Sequence, residues 1–87
     1  MLKLKIYIWH NNSTSQMVGV NVRGYSRGIP TIRTQKVMRE HPGEPLLVLV
    51  DTGWAKDDIT RLGVNKGYAV KCQRTEAGYD LELKPIA

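Results

Sequence analysis

The sequence predicts an α+β fold: a two-layer α/β sandwich with a βαβαββ core, a mixed sheet, two helices on one face and an extra N-terminal strand. Three observations carry this expectation. Leu2, Leu4, Ile6 and Ile8 alternate with Lys3, Lys5, Tyr7 and Trp9, the period of two of a strand with one buried face. Leu46–Val50 is a continuous apolar run, as a central strand covered on both sides reads. Two amphipathic stretches of helical period separate the later strands, and that alternation implies a mixed sheet with both helices on one side of it.

The elements follow in order. After the first strand, His10-Asn11-Asn12-Ser13-Thr14-Ser15 is turn-prone, because Asn and Ser side chains compete for backbone hydrogen bonds. Val18, Val20 and Val22 then alternate with Gly19, Asn21 and Arg23, a second strand able to pair with the first as a hairpin. Gly24-Tyr25-Ser26-Arg27-Gly28 reads as a flexible connection, and Pro30 suits the first turn of a helix, where its missing N–H is not needed. From Thr31 to His41, at ~100° per residue, Thr31, Thr34, Val37, Met38 and His41 share one arc. Arg33, Lys36 and Arg39 fall on the opposite arc, and Ile32 also lands on that polar side. Pro42-Gly43 ends this helix, since the residue before a proline is pushed out of the α region.

Asp51-Thr52-Gly53 terminates the central strand. A second helix is expected from Trp54 or Ala55 to Lys66, with Ala55, Ile59 and Leu62 on one face and Gly67 as its left-handed cap. Val70 and Cys72 alternate with Lys71 and Gln73. After Thr75-Glu76-Ala77-Gly78, Tyr79, Leu81 and Leu83 alternate with Asp80 and Glu82, which closes the fold with a hairpin.

A chain of 87 residues holds one compact domain. Such a domain buries only roughly two thirds of the surface its unfolded chain exposes, so a shallow site is expected rather than a large catalytic cleft. A single cysteine excludes an internal disulfide, and with two histidines it cannot complete a zinc tetrahedron. The longest apolar run, Leu46–Val50, is far short of the ~20 residues that cross a bilayer. Met1–Lys5 has no signal-peptide h-region, so a cytoplasmic location without membrane contact is expected.

Charge is distributed unevenly. The formal net charge is +5. Residues 1–39 hold Lys3, Lys5, Arg23, Arg27, Arg33, Lys36 and Arg39 with no acid, a local +7, whereas residues 40–87 hold six basic and eight acidic residues, a local −2. Polarity of this kind favours an acidic or phosphate-bearing partner, set against the plainer reading of an ordinary solvated face.

The stretch Asn21-Val22-Arg23-Gly24-Tyr25-Ser26-Arg27-Gly28-Ile29-Pro30, running into a helix that contains Thr34, resembles the TusA/SirA/YedF-like sulfur-carrier family. The signature of that family is Asp-x-Arg-Gly-x-x-Cys-Pro-x-Pro. Pro42-Gly43-Glu44, Asp51, Asp57-Asp58-Ile59, Gly67-Tyr68 and the final hairpin fall where the family has similar elements, so the resemblance spans roughly residues 18–84. It implies a TusA-like domain over residues 18–87, with residues 1–17 as an added strand and loop, and the same βαβαββ sandwich.

The departures bear on chemistry. The family's Asp is Asn21 here, its sulfur-carrying Cys is Arg27, and the Pro after it is Gly28; Arg23, Gly24 and Pro30 keep the pattern. In carriers of this type a thiolate at a helix N-terminus accepts a sulfane sulfur, with the positive helix end favouring the anion. Arg27 can neither attack nor hold a persulfide. A guanidinium beside free helix N–H groups could instead bind phosphate or carboxylate, and glycine in place of proline would loosen the turn.

No catalytic residue, metal or cofactor is therefore expected. Cys72, the remaining thiol, is expected to face inward beside Val70, because free Cys is among the most buried residue types. His10 and His41 lack metal-pair spacing, and His41 at a helix C-terminus would complement the dipole. Asp57 and Asp58 would complement the dipole of the second helix, and Asp80 and Glu82 would lie on a solvent face. Gly24-x-x-x-Gly28 lacks the Lys-Ser/Thr of a phosphate-binding loop.

The expected binding residues are Arg23, Arg27, Arg33, Lys36 and Arg39. Three functional readings stand. The leading one is a non-catalytic binding or regulatory module docking an acidic protein surface through those residues, a sulfurtransferase-type partner included. The second is a sulfur-transfer or tRNA-thiolation accessory that uses Cys72 or a partner's thiol. The third is RNA or tRNA binding, for which Tyr7, Trp9 and Tyr25 beside cations supply stacking surfaces. Tyr7 and Trp9 would otherwise cover the far side of the sheet or an oligomer interface, and an exposed Leu/Ile strand near the N-terminus is a candidate homodimer edge.

Overall fold

The computed structural model describes residues 4–8 and 16–86. Strands occupy Leu4–Ile8 (β1), Gln16–Asn21 (β2), Leu46–Val50 (β3), Tyr68–Thr75 (β4) and Gly78–Pro85 (β5), and helices Ile29–Glu40 (α1) and Gly53–Asn65 (α2). They form one sheet in the order β1-β2-β3-β5-β4. The expected N-terminal hairpin is present, with β1 antiparallel to β2 and Leu4 opposite Val20. β2 and β3 are parallel, and β5 runs antiparallel to both β3 and β4. The sheet is therefore mixed, as expected.

The connections explain why both helices share a face. From β2 through α1 to β3, and from β3 through α2 to β4, the chain steps the same way across the sheet. Right-handed crossovers that step in one direction put their helices on one side, and α1 and α2 touch each other there. Val18, Val20, Val22, Leu46, Val48, Val50, Leu81 and Leu83 line that side and are almost fully buried. Burying side chains of this size contributes about 1.5–3 kcal/mol each before the cost of ordering them.

α1 presents Pro30, Thr34, Val37 and Met38 to the core, while Ile32 is 63% exposed on the outer side. α2 presents Ala55, Ile59 and Gly63, with Leu62 partly buried against the same cluster. A Cβ at Gly63 would stand 2.8 Å from Val70 Cγ2, so the missing side chain lets α2 approach β4 and β5. α2 opens at Thr52, whose Oγ1 accepts the Ala55 N–H at 3.2 Å, a cap of the kind that contributes about 1 kcal/mol. Gly67, at φ 87, leaves the helix in the expected left-handed turn.

Several expectations shift in detail. α1 starts two residues before Thr31 and ends at Glu40, with His41 as its C-cap, and α2 starts at Gly53 and ends before Lys66. Met17 and Leu47 are buried as well, and by alternation they face away from the helices. Tyr7 stands opposite Met17 in the β1–β2 register. Trp9, His10 and the Asn11–Ser15 loop lie outside the described residues.

The larger correction concerns Cys72, which is exposed rather than a core residue. β4 is an edge strand, and α2 covers it near Val70 through the close approach at Gly63. Towards its N-terminus the helix lies over β5 instead, with Lys56 Nζ 5.3 Å from the centre of the Tyr79 ring. Cys72 shares a face with Val70, but the covering layer has already moved inward across the sheet.

Two stability measurements check this packing. Gly78 has φ 134, and a Cβ on it would collide with the Val50 carbonyl oxygen and the Asp51 Cα. Gly78→Ala should therefore lose about 2 kcal/mol or more in urea unfolding, from strain and backbone clash together; an unchanged midpoint would contradict the register. Thr34 is fully buried and its hydroxyl has no hydrogen-bond partner among the described residues. Thr34→Val should gain up to about 1 kcal/mol by removing an unpaired polar group, and a measured loss would show that the hydroxyl has a partner.

Candidate functional site

The turn between β2 and α1 carries most of the residues singled out above. Both helices run antiparallel to the parallel pair β2 and β3, so both N-termini lie at the carboxyl ends of those strands, where open α/β sheets place ligands. The turn is anchored rather than flexible. Asn21 Oδ1 accepts the Arg23 N–H at 3.1 Å, and the Gly24 N–H donates to Asp51 Oδ2 at 2.9 Å, tying the turn to the end of β3. Gly28, the N-cap of α1, has φ 93, a backbone that proline cannot adopt. The glycine thus meets a conformational demand of the turn instead of merely loosening it.

Arg27 projects from this turn onto α2. Its Nε lies 3.7 Å from Asp58 Oδ2, and its Cζ is 5.6 Å from the centre of the Trp54 ring. Arg61 Nη2 meets the other oxygen of Asp58 at 2.6 Å, so one carboxylate, 17% exposed, bridges two guanidinium groups. Asp58 stands one turn further into α2 than a carboxylate complementing the dipole, and its role is this bridge. The anion expected from a ligand of Arg27 is supplied by the chain itself. Arg23 is likewise engaged, with Nη2 3.6 Å from Asp80 Oδ1.

The other three candidates lie along α1. Arg33 is half-buried and its Cζ sits 4.7 Å above the Tyr25 ring. Lys36 and Arg39 are exposed. Among the described residues, no carboxylate comes within 4 Å of any of the three, whereas Arg23, Arg27, Lys56, Arg61 and Lys84 each have one. The five expected residues therefore do not converge: Arg23 and Arg27 tie the turn to β5 and α2, and Arg33, Lys36 and Arg39 form a separate stripe. Asp58 and Thr52 were missed as site and cap residues. The six-residue spacing between Thr52 and Asp58 has no sequence signature beyond ordinary helix chemistry.

Arg27, at the tip of the turn, offers no nucleophile. Cys72 is exposed on β4 between Lys71 and Gln73. Among the described residues, no three His, Cys, Asp or Glu side chains gather to hold a metal ion. His41 Nδ1 instead meets Glu44 Oε2 at 3.2 Å across the turn after α1. No described helix is long and apolar enough to cross a membrane.

No family model matches the chain, and no curated protein matches it. A solved structure does: the crystal structure of a SirA-like protein from Desulfitobacterium hafniense is 22% identical, covers 75% of this chain and 92% of its own, and superimposes with a TM-score of 0.69. The chain has the SirA-like fold. At that identity the likeness concerns architecture, so the departures at Asn21, Arg27 and Gly28 must be judged from their own surroundings. In this SirA-like fold the turn is anchored through Asn21, Gly24 and Asp51, and Arg27 at its tip ties it to α2.

The corrected position of Cys72 has a direct readout. The native protein should react with a maleimide nearly as fast as the urea-unfolded chain. Protection until denaturant is added would return Cys72 to the core.

Proposed function

We propose that this protein is a non-catalytic binding or regulatory module of TusA-like architecture that docks on an acidic protein surface through the outer side of α1. The observation that carries the reading is the uneven placement of carboxylates among its cations. Carboxylates lie within 4 Å of Arg23, Arg27 and Arg61, while among the described residues Arg33, Lys36 and Arg39 have none. Exposed cations such as Lys36 and Arg39, left without carboxylate partners, set association rate and orientation towards an acidic surface, with strong salt dependence. Arg33, stacked on Tyr25, gives that stripe a rigid end, and Arg23 and Arg27 hold the turn from which α1 begins.

The non-catalytic part rests on the sulfur position. A persulfide needs a thiolate to carry the sulfane sulfur, and Arg27 has no atom that can. The resemblance to sulfur carriers makes a sulfurtransferase-type protein a reasonable class of acidic partner.

A second reading, sulfur traffic through Cys72, draws support from the exposure of that thiol. Incubation with a cysteine desulfurase and cysteine, followed by mass spectrometry, separates the two: the proposal expects no stable sulfane adduct, and a specific adduct on Cys72 would replace it with the second reading. RNA binding would require retention on RNA that falls steeply with salt.

For docking, the combined Lys36→Glu and Arg39→Glu variant should keep the wild-type unfolding midpoint within about 0.5 kcal/mol, as exposed substitutions do. Its affinity for a partner recovered with the wild-type protein should fall roughly tenfold or more, since reversal sets like charges face to face. Undiminished binding by a folded variant would remove α1 as the docking face.

A further inference from the structure

The two helices are parallel, so their C-termini also share one end of the molecule, opposite the β2–α1 turn. Between them lies a depression of about 280 Å³ bordered by Gln35, Met38, Arg39, Pro42, Lys66 and Tyr68. Its walls are largely apolar: the Met38 thioether, the Pro42 ring and the Tyr68 ring, with Met38 and Tyr68 themselves 7% exposed. Met fills irregular spaces and repacks around what enters. Arg39 comes from the last turn of α1, and Lys66 is the C-cap of α2. Both are exposed, and among the described residues neither has a carboxylate within 4 Å. Glu44, in the neighbouring turn, is taken up by His41.

Cations in these two positions would suit the negative helix ends even on a featureless surface. The dipole does not account for an open apolar depression between them. A volume of this size falls just below the ~300–1,000 Å³ of pockets that hold drug-sized ligands or cofactors, and it suits one large side chain. Interfaces place such anchors in pockets near their centre, with charged groups at the rim. Arg39 also belongs to the α1 stripe, so the depression continues the proposed docking face.

We propose that the acidic partner inserts one large apolar side chain into this depression, with the carboxylate of an adjacent Asp or Glu held between Arg39 and Lys66. The inference rests on the docking reading of α1 and names the chemistry of its anchor: an apolar residue flanked by acids. Burial raises the pKa of the Tyr68 phenol above its ordinary value of 10.0, so the phenol remains a neutral donor and adds no opposing charge.

The probe is a set of blocked peptides titrated into the isotope-labelled protein: Glu-Leu-Asp-Asp, Glu-Ala-Asp-Asp and the uncharged Gln-Leu-Asn-Asn, with octanoate as a fourth ligand. The first peptide should shift the signals of the Met38 methyl, Gly43, Lys66 and Tyr68. Replacing Leu by Ala should weaken binding about tenfold or more, the loss expected for several methyl groups no longer buried, and so should removing the charges. Gln35→Trp, which fills the depression from a half-buried helix position at its border, should abolish the shifts, and Lys66→Glu should weaken them about tenfold. Equal binding of the Leu and Ala peptides, indifference to Gln35→Trp, or tighter binding of octanoate than of the peptide would each overturn the pocket. The failures are distinguishable, because Lys36→Glu alone, at a residue of the α1 stripe that does not border the depression, tests docking by α1 on a partner without touching the proposed anchor site.

Discussion

The constraint on which the rest of the structure depends is that two right-handed crossovers step in the same direction across one sheet. That topology leaves the helices no choice of face, and it makes them parallel to each other. Parallel helices give the molecule two chemically different ends. At one, the helix N-termini stand beside the carboxyl ends of β2 and β3, and Arg27 of the β2–α1 turn reaches Asp58 on the neighbouring helix. At the other, the helix C-termini bring Arg39 and Lys66 around a shared apolar depression. The one-sided core of valines and leucines holds both ends in place.

The charge asymmetry acquires a spatial meaning within that frame. The acids of the second half of the chain are spent selectively: Asp80 on Arg23, and Asp58 on Arg27 and Arg61. These are partly solvated pairs, each contributing at most about 1 kcal/mol, so their effect on stability is modest. Their effect on the surface is larger. They give Arg23 and Arg27 carboxylate neighbours and leave Arg33, Lys36 and Arg39 on α1 without one within 4 Å among the described residues.

Much of the fold is legible in the sequence because its signals are local. The run Leu46–Val50 is found residue for residue as β3, and Ile32 lies on the outer side of α1 where the helical period places it. Cys72 fails for a reason that periodicity cannot supply. Alternation assigns it correctly to the face of Val70, but burial depends on which residues α2 covers, and the angle at which a helix crosses a sheet is set by contacts such as Gly63 against Val70. The Arg27–Asp58 bridge fails similarly. Nothing in a linear pattern brings residue 27 to residue 58 until the two helices lie side by side.

The same bridge leaves the shape of the turn itself untouched. What shapes the turn is backbone chemistry: the Asn21 side chain on the Arg23 N–H, the Gly24 N–H on Asp51, and a glycine at Gly28 with positive φ. None of these contacts involves the side chain at position 27. That position is therefore free to change its chemistry without changing the fold, and a guanidinium there gains Trp54 on one side and Asp58 on the other. Arg27 thus ties the turn to α2, while the outer side of α1 keeps Lys36 and Arg39 exposed and, among the described residues, without a carboxylate within 4 Å.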